Sequence, residues 1–268
     1  MAKLVWDAVG EKFYETGTKK GVLYPQVGTA YPRGYAWNGL TAVTESPEGA
    51  EANDIYADDI KYLVLRSAEN FKATIEAYTY PDEFAECDGS AQIAAGVKIT
   101  QQPRKAFGFS YVTTLGNDTA LDSYGEIIHL IWGASAAPSE KAYQTINDSP
   151  EAITFSWELS TVPVEAGDYK PTSHMEINTV KADPTALATL KGYLYGTENS
   201  NPYLPLPNDI ITLFGGSATT YTYTEVTPVG SENPSTEGWY VRSGNDFILS
   251  TDTSVIGGTV YYERTANT

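Results

Sequence analysis

The sequence predicts an all-β fold, made mainly of strands with one flanking α-helix. The composition favours strands, because 20 Tyr and 23 Gly stand beside only 2 Met, and Tyr, Thr and Val suit half-buried pleated surfaces while Gly marks turns. Apolar and polar residues also alternate with period two in many short segments. We therefore expect two packed antiparallel sheets, a β-sandwich or barrel, with a small C-terminal β appendage.

The N-terminal part of the chain is predicted to begin with strands and turns. We expect a strand over 4–9, a hairpin over 12–25 with its turn at 16–21, and another strand over 35–43. The next segment, 44–59, reads TESPEGAEANDIYADD and is acidic and poor in apolar residues. It predicts a long exposed loop, and loops of that length usually have a task or are disordered.

The central part predicts a series of strands. Segment 60–67 is the first, and 70–80 follows, with Phe71, Ala73 and Ile75 on one face. The later strands of the series are expected at 106–114, 126–135, 152–161 and 173–180.

A single segment carries a clear helix pattern with caps. Asp183 is a good N-cap, Pro184 suits the first helical position, and Gly196 follows the last turn. The apolar stripe of this helix should lie against a sheet. The stripe consists of Leu187, Leu190 and Leu194.

The organisation of the chain changes after the helix. We expect one large domain over 1–214, a flexible linker over 215–220 with the sequence GGSATT, and a small β module over 221–268. The module has the short strands YTYTEV, GWYVRS, DFILST and TVYYER.

Charge excludes one class of function. The chain has 17 Lys and Arg against 34 Asp and Glu, a net charge of −17. Binding nucleic acid through its phosphates requires a basic surface. The single cysteine, Cys87, cannot form an internal disulfide. The N-terminus has no signal-peptide pattern and no apolar run is long enough to span a bilayer, so we expect neither export nor a membrane partner.

The stretch YTYPDEFAECDGS, 78–90, gathers four carboxylates around Cys87. It lacks the spacing of a calcium loop, and acidic neighbours should raise the pKa of the Cys87 thiol. We interpret it as acidic surface. The four carboxylates are Asp82, Glu83, Glu86 and Asp88.

The remaining chemical candidates are weak. His129 and His174 fall inside predicted strands, and two ligands without an adjacent third make a poor zinc site. Ser173 beside His174 lacks a nucleophile elbow, and the sequence has no nucleotide-binding motif. We therefore expect no catalytic residue, no metal and no cofactor, and no enzymatic activity.

Several long segments resemble one known family. AENFKATIEAYTYPDEFAECDGS, RKAFGFSYVTTLGND, GEIIHLIWGASAAPSEKAYQTINDSPEAITFSWELSTVPV and KPTSHMEINT are similar to the major tail protein, or tail tube protein, of long-tailed phages infecting Gram-positive bacteria. The resemblance covers roughly 1–214. The C-terminal module resembles, more weakly, short β appendages of other phage structural proteins.

The resemblance implies a fold and an assembly. The family has two packed antiparallel sheets flanked by a helix, and six copies form a ring whose inner sheets line a lumen. Rings stack into a tube through which DNA passes without specific binding. The implied partners are further copies of the chain, a tape-measure protein, and terminator and distal tail proteins, with assembly in the host cytoplasm and a final place in the virion tail.

Within that assembly two groups of residues acquire hypothetical roles. An acidic lumen would repel DNA phosphates, and Glu76 and Glu158 are our lumen candidates. The predicted loop 44–59 would contact the next ring. Its acidic candidates are Glu45, Glu48, Glu51, Asp54, Asp58 and Asp59.

Three other functions remain open at the level of sequence. A β-sandwich carbohydrate-binding or adhesin module would use the many aromatic side chains as sugar platforms. A β-rich hydrolase would use a carboxylate pair, with Asp82, Glu83 and Glu86 as the candidates. The tube of a contractile tail, or another phage structural protein on a related fold, belongs to the same class as our main hypothesis.

Overall fold

The computed structural model describes residues 4–49, 51–146, 148 and 152–215, and four later strands. The chain divides into two compact units, Met1–Gly216 and Ser217–Thr268, and each is described by itself. Among the described residues, no helix is long and apolar enough to cross a membrane.

The first unit is built almost entirely from strands. In chain order its elements are β1 Phe13–Pro25, β2 Tyr35–Trp37, β3 Leu40–Glu45, β4 Glu48–Gly49, β5 Ala52–Ala57, β6 Ile60–Arg66, β7 Glu69–Asn70, β8 Lys72–Ala77, a 3₁₀ helix Asp82–Glu86, β9 Ala91–Ala94, β10 Val97–Ile99, β11 Phe107–Asn117, β12 Leu121–Ala136, β13 Phe155–Thr161, β14 Val164–Ala166, β15 Tyr169–Thr172, β16 His174–Asn178, α1 Pro184–Tyr195 and α2 Pro207–Leu213.

One large antiparallel sheet organises this unit. Its strands follow the order β2-β1-β11-β12-β13-β8-β3, and β16 pairs with the other part of β12. The path ends at β2 and β3, which are consecutive in the chain and joined at Asn38–Gly39, where Gly39 has a φ of +72°. The predicted all-β class with a flanking helix is confirmed.

The alternation predicted for 70–80 is confirmed in β8. Ala73, Ile75 and Ala77 are fully buried, while the residues between them are half-buried. The neighbouring strand β13 buries Trp157 and Leu159 against them. A strand with one face in a core should show this period-two pattern.

The sheet separates two apolar cores, and each of its long strands contributes side chains to both cores. In β1, Leu23 enters the first core whereas Val22 and Tyr24 enter the second. The first core contains Leu23, Trp37, Ile75, Ala77, Phe84, Cys87, Phe107, Phe109, Tyr111, Ile131, Ala134, Ala136, Trp157 and Leu159. The second contains Val22, Tyr24, Tyr31, Val112, Ile128, Leu130, Trp132, Ile177, Leu190, Leu194, Leu204 and Ile210.

Helix α1 covers the second core as its sequence predicts. The Asp183 carboxylate accepts a hydrogen bond from the Ala186 amide at 2.8 Å, so the predicted N-cap is confirmed. Leu190 and Leu194 are buried in the second core. The short helix α2 was not predicted, and its Ile210 is buried in the same core.

The predicted N-terminal strand and hairpin are wrong. Residues 4–9 form no strand, and 12–25 holds the single long strand β1 in place of two strands and a turn. The turn-like residues form bulges, since the register against β11 shifts between Thr16 and Lys19 and again between Lys19 and Val22. A long partner strand can continue pairing past a bulge, which local turn signals do not reveal.

The predicted exposed loop 44–59 is also wrong. Strand β3 continues to Glu45, and β4 and β5 occupy most of the rest. The segment is polar because it lies on the surface, yet its backbone pairs with strands β6 and β7. The predicted strand 35–43 is interrupted at Asn38–Gly39, where the chain turns from β2 to β3.

The second unit contains a four-stranded antiparallel sheet. Its strands are β17 Tyr221–Val226, β18 Tyr240–Ser243, β19 Asp246–Leu249 and β20 Tyr261–Ala266, in the order β17-β20-β18-β19. All four match strands predicted from the sequence. Most of the predicted linker, 216–220, lies outside the described residues.

Candidate functional site

A two-stranded extension leaves the sheet between β3 and β8. We call it the arm: β4 pairs with β7 at its root, and β5 pairs with β6 beyond. Within the described part of the chain, these strand pairs hydrogen-bond to no further strand. An isolated two-stranded hairpin is at best marginally stable in water, so the arm lacks the packing that the main sheet has.

The arm exposes apolar side chains on both faces of β6. Ile60 and Tyr62 are 63% and 66% exposed, and Leu65 is 53% exposed. The register with β5 places Ile60, Leu63 and Leu65 on one face and Val64 on the other, because a bulge at Tyr62 interrupts the alternation. Clusters of exposed apolar residues of this kind mark interaction surfaces.

The acidic residues proposed for an inter-ring contact divide between two places. Glu48 and Asp54 lie on the arm and pair with Lys72 and Lys61, each at 2.7 Å. The remaining arm residues of the group are exposed, and Asp58 and Asp59 form the hairpin turn with φ values of 52° and 59°. The structure therefore brings Glu48, Glu51, Asp54, Asp58 and Asp59 to one arm.

Glu45 belongs elsewhere, to a cluster that we call the His–Glu cluster. Its four members are Glu45, His129, His174 and Glu176, and one ligand atom from each lies within 4.8 Å of the others. His174 and Glu176 share one face of β16, and His129 on β12 lies directly opposite Glu176. Sheet pairing thus assembles three members, and the end of β3 brings in Glu45.

The polar atoms of this cluster approach one another closely. Glu45 Oε1 lies 3.4 Å from His129 Nδ1 and 3.3 Å from His174 Nε2. The two imidazole nitrogens are themselves 3.4 Å apart. Glu176 Oε1 is 4.0 Å from His129 Nδ1.

Aromatic rings hold both imidazoles in place. His174 stacks on Phe71 with ring centroids 4.5 Å apart, and His129 stacks on Tyr111 at 4.4 Å. The Tyr111 hydroxyl donates to Glu45. Phe71 directly follows β7 and Glu45 ends β3 just before β4, so the cluster lies beside the two segments that connect the arm to the sheet.

Burial and hydrogen bonding shift the pKa values of the cluster. Burial opposes ionisation of Glu45, but hydrogen bonds from His129 and Tyr111 together with the imidazole charges outweigh it and lower its pKa to about 2. Burial lowers the pKa of His174, against the attraction of Glu45. Burial and the hydrogen bond to Glu45 raise the pKa of Tyr111. Glu45 is therefore a carboxylate in the neutral pH range.

The fold places two carboxylates beside the histidines, which their sequence positions do not reveal. Glu45 and Glu176 lie beside the two histidines, and the four side chains could together hold a metal ion. The period-two spacing of His174 and Glu176 was visible in the sequence. The approach of Glu45, from a strand on the far side of the sheet, was not.

The acidic stretch 78–90 folds into a plug that closes the first core. Its carboxylates have basic partners: Asp82 pairs with Lys98 at 2.8 Å and Glu86 with Lys105 at 3.1 Å. Both pairs are largely exposed, and they join the stretch to β10 and to the segment before β11.

Asp88 is the buried member of the plug. It contacts Lys141 at 2.7 Å and Arg104 at 3.6 Å, and it accepts a hydrogen bond from Trp157 Nε1 at 3.2 Å. The expectation of a plain acidic surface is therefore incomplete, since Asp88 holds the plug onto β13.

Cys87 is buried in the first core. Burial raises the pKa of its thiol to about 12, with Lys105 acting in the opposite direction and the neighbouring carboxylates adding to the rise. A thiol in this state is a poor nucleophile.

The two lumen candidates lie on adjacent strands. Glu76 on β8 and Glu158 on β13 are offset by two residues in the ladder, where Glu76 faces Ser156 and Glu158 faces Thr74. Their strand neighbours Ile75 and Trp157 point into the first core, so both carboxylates point away from it. Their place in an assembly stays a prediction.

Comparisons with known proteins find little. No family model and no curated protein sequence matches this chain. Among solved structures, a chain of the anti-feeding prophage baseplate, determined by cryo-EM with six-fold symmetry applied, matches 66% of this chain and 99% of its own length at 11% identity. The TM-score is 0.33. The chain thus has a weak structural neighbour in a prophage baseplate, and a score this low carries no functional argument.

Proposed function

We propose that this chain is a structural protein of a phage tail, the subunit of a tail tube built from stacked six-membered rings. The observation that carries the proposal is the arm, whose exposed apolar faces have no partner within the described part of the chain. The sequence resemblance of 1–214 to tail tube proteins supplies the class of assembly.

The occupant of the arm is a second copy of this chain. The described first unit has another exposed apolar hairpin, β9–β10, on which Ile93, Val97 and Ile99 face solvent. Two different apolar surfaces on one subunit favour a heterologous contact, in which one surface of each copy meets another surface of the next. Such contacts close into rings or continue as filaments.

The sheet also offers strand edges for ring formation. Strands β2 and β3 end the sheet path, and each has one pairing partner in it. Unpaired amides and carbonyls on an edge strand can accept a strand of another chain. We assign edge joining to the ring contact and the arm to the contact between rings.

The negative net charge of the chain supports a role as a tube through which DNA passes. The net charge of −17 disfavours binding of phosphates, and Glu76 and Glu158 would add to a repelling wall. In this proposal DNA passes without specific binding, and the tape-measure, terminator and distal tail proteins contact the assembled tube. The chain acts as a virion component without enzymatic activity.

The carbohydrate-binding alternative is less favoured. A sugar platform needs exposed aromatic faces. Trp6, Tyr62 and Tyr169 are exposed, but Trp37, Trp132 and Trp157 are buried in the two cores. They therefore serve packing, and glycan binding by the purified chain would be needed to revive this alternative.

The test is assembly of arm variants, scored by negative-stain electron microscopy and sedimentation. Wild-type protein at rising concentration should give six-fold rings or hollow tubes. The double variant Tyr62→Asp/Val64→Asp should remain monomeric with unchanged circular dichroism, because it places charges at two exposed apolar residues of the arm. Val162→Asp, at an exposed apolar residue outside the arm, is the matched control and should still assemble. Tubes formed by the arm variant would overturn the proposal.

A further inference from the structure

We propose that the His–Glu cluster is a binding site for one late first-row divalent metal ion, of which Zn²⁺ is the representative, with His129 Nδ1, His174 Nε2 and Glu45 Oε1 as three ligands and Glu176 as the fourth. The proposal is independent of the tube assembly, since all four residues belong to one chain.

The spacing of the ligand atoms carries the proposal. Zn–N and Zn–O bonds of about 2.0–2.1 Å in a tetrahedron place neighbouring ligand atoms about 3.3 Å apart. The three distances among His129 Nδ1, His174 Nε2 and Glu45 Oε1 are 3.4, 3.3 and 3.4 Å. These atoms therefore form one face of a coordination tetrahedron.

Glu176 stands at the fourth position. Its Oε1 is 4.0 Å from His129 Nδ1, and a small side-chain rotation of this half-exposed residue closes that gap. All four ligand atoms already lie within 4.8 Å of one another.

Hydrogen bonds alone do not account for the close approach of the polar atoms in this cluster. The Tyr111 hydroxyl donates to Glu45 Oε1, and one nitrogen of each imidazole lies within 3.4 Å of the same oxygen. With neutral imidazoles, the carboxylates of Glu15, Glu45 and Glu176 crowd one site. A divalent cation would accept the nitrogen lone pairs and offset this negative charge.

The surroundings of His129 prepare it as a ligand. Its Nε2 lies 3.1 Å from Thr113 Oγ1, and Thr113 donates to Glu15. With the ring proton assigned to Nε2, that N–H donates to Thr113, and the Nδ1 lone pair points into the cluster. Metal-binding histidines usually donate their second ring nitrogen to such a partner, which fixes the tautomer.

The donor set decides the class of ion. Two imidazole nitrogens and two carboxylate oxygens suit Zn²⁺, Co²⁺ and Ni²⁺, whereas Mg²⁺ and Ca²⁺ prefer oxygen alone. The ion would join β3, β12 and β16 at one point, and through Glu45 it would hold the root of the arm.

The first experiment measures metal binding to the full chain after treatment with a chelator. Titration calorimetry with ZnCl₂ should give one site per chain, with MgCl₂ at least 100-fold weaker. His129→Gln and His174→Gln should each weaken Zn²⁺ binding at least tenfold. Glu83→Gln, at an exposed carboxylate of the plug, is the control and should leave binding unchanged. Binding that both histidine variants leave unaltered, or no preference for Zn²⁺ over Mg²⁺, would overturn the proposal.

Two further readouts keep the test independent of variant folding. Co²⁺ added to the wild-type chain should give the strong visible absorption of four-coordinate cobalt and lose it when Zn²⁺ is added; weak six-coordinate absorption would contradict the site. Thr113→Val should weaken Zn²⁺ binding about tenfold, in the range of lost outer-shell partners, while Thr113→Ser should restore it. Equal affinities for the two Thr113 variants would contradict the assigned tautomer.

Hydrogen exchange tests the link to the arm. Zn²⁺ should slow amide exchange in the root segments that contain Glu45 and Phe71 in wild-type protein and leave it unchanged in His174→Gln. Faster or unaltered exchange at the root of Zn²⁺-loaded wild-type protein would overturn the link.

Discussion

The main sheet and the arm use the same residue types in opposite environments. Ile75 on β8 is fully buried, whereas Ile60 on β6, fifteen positions earlier in the chain, is 63% exposed. Strand β8 alternates apolar and polar residues, but β6 reads IKYLVLR and is apolar on both faces. A strand with one core face needs only one apolar face. The second apolar face of β6 therefore indicates a partner outside its own fold.

The two regions meet at the His–Glu cluster. Glu45 ends β3 in the sheet, and Phe71 begins the return into β8. Both contact His174, the former at 3.3 Å and the latter by ring stacking. The contrast between sheet and arm can be tested by asking which residues control folding and which control only assembly.

The largest effect should come from Trp157, which is fully buried in the first core. Trp157→Ala should lower the free energy of unfolding by about 3–5 kcal/mol, because it opens a cavity among Trp37, Tyr80 and Phe84. Tyr62→Ala on the arm should change it by less than about 0.5 kcal/mol. Urea denaturation of monomeric protein measures both, and equal losses would break the contrast.

A smaller effect is expected at Asp88, which ties the plug to the sheet. Asp88→Ala removes the partner of Lys141 and of Trp157 Nε1, and it should cost about 1–3 kcal/mol. Asp82→Ala, in the same stretch but highly exposed, is the control and should cost well under 1 kcal/mol. Thermal unfolding distinguishes the two, and a larger loss for Asp82→Ala would contradict the role of the plug.

The N-cap of α1 should contribute about 1 kcal/mol. Asp183→Ala leaves the Ala186 amide without its acceptor, and losses of this size are typical of removed caps. Asp183→Ser retains a capping oxygen and should recover most of the stability. Denaturant titration of the three proteins is the measurement. A loss for Asp183→Ser as large as that for Asp183→Ala would show that charge, and not capping, matters here.

The smallest effect is expected at Glu126, which joins β12 to β1 and α1. Burial tends to raise its pKa, but Lys19 and Lys20, each 3.0 Å away, outweigh burial and lower it. A carboxyl group with a lowered pKa in the folded state stabilises the fold above its ordinary pKa of about 4.5 and loses this contribution as the pH falls further. Glu126→Gln should cost under about 1 kcal/mol at pH 7.

The pH profile tests the Glu126 assignment. The difference between wild-type and Glu126→Gln should shrink as the pH falls below about 4.5, while Glu140→Gln, at an exposed site, should track wild-type throughout. Unfolding curves from pH 3 to 7, a range of about four units around that pKa, supply the measurement. A difference that grows toward acid pH would contradict the sign.

Local patterns predicted what depends on local chemistry. The alternation in β8 and β13, the cap and apolar stripe of α1, and the four strands of the second unit were all visible before the structure. Each depends on periodicity or on hydrogen bonds within a few residues. The hairpin expected over 12–25 failed because pairing with β11 carries β1 through its turn-like residues as bulges.

The sequence by itself determined the fold class, the helix, most of the core strands and the acidity of the chain, since these follow from residue type and spacing. Only the tertiary structure decided that 44–59 forms strands, that the plug carboxylates meet distant lysines, and that Glu45 joins two histidines. The contacts of Glu45 with the two histidines and of Asp88 with Lys141 join residues far apart in the chain. Their formation depends on which strands become neighbours in the sheet, and no local pattern contains that information.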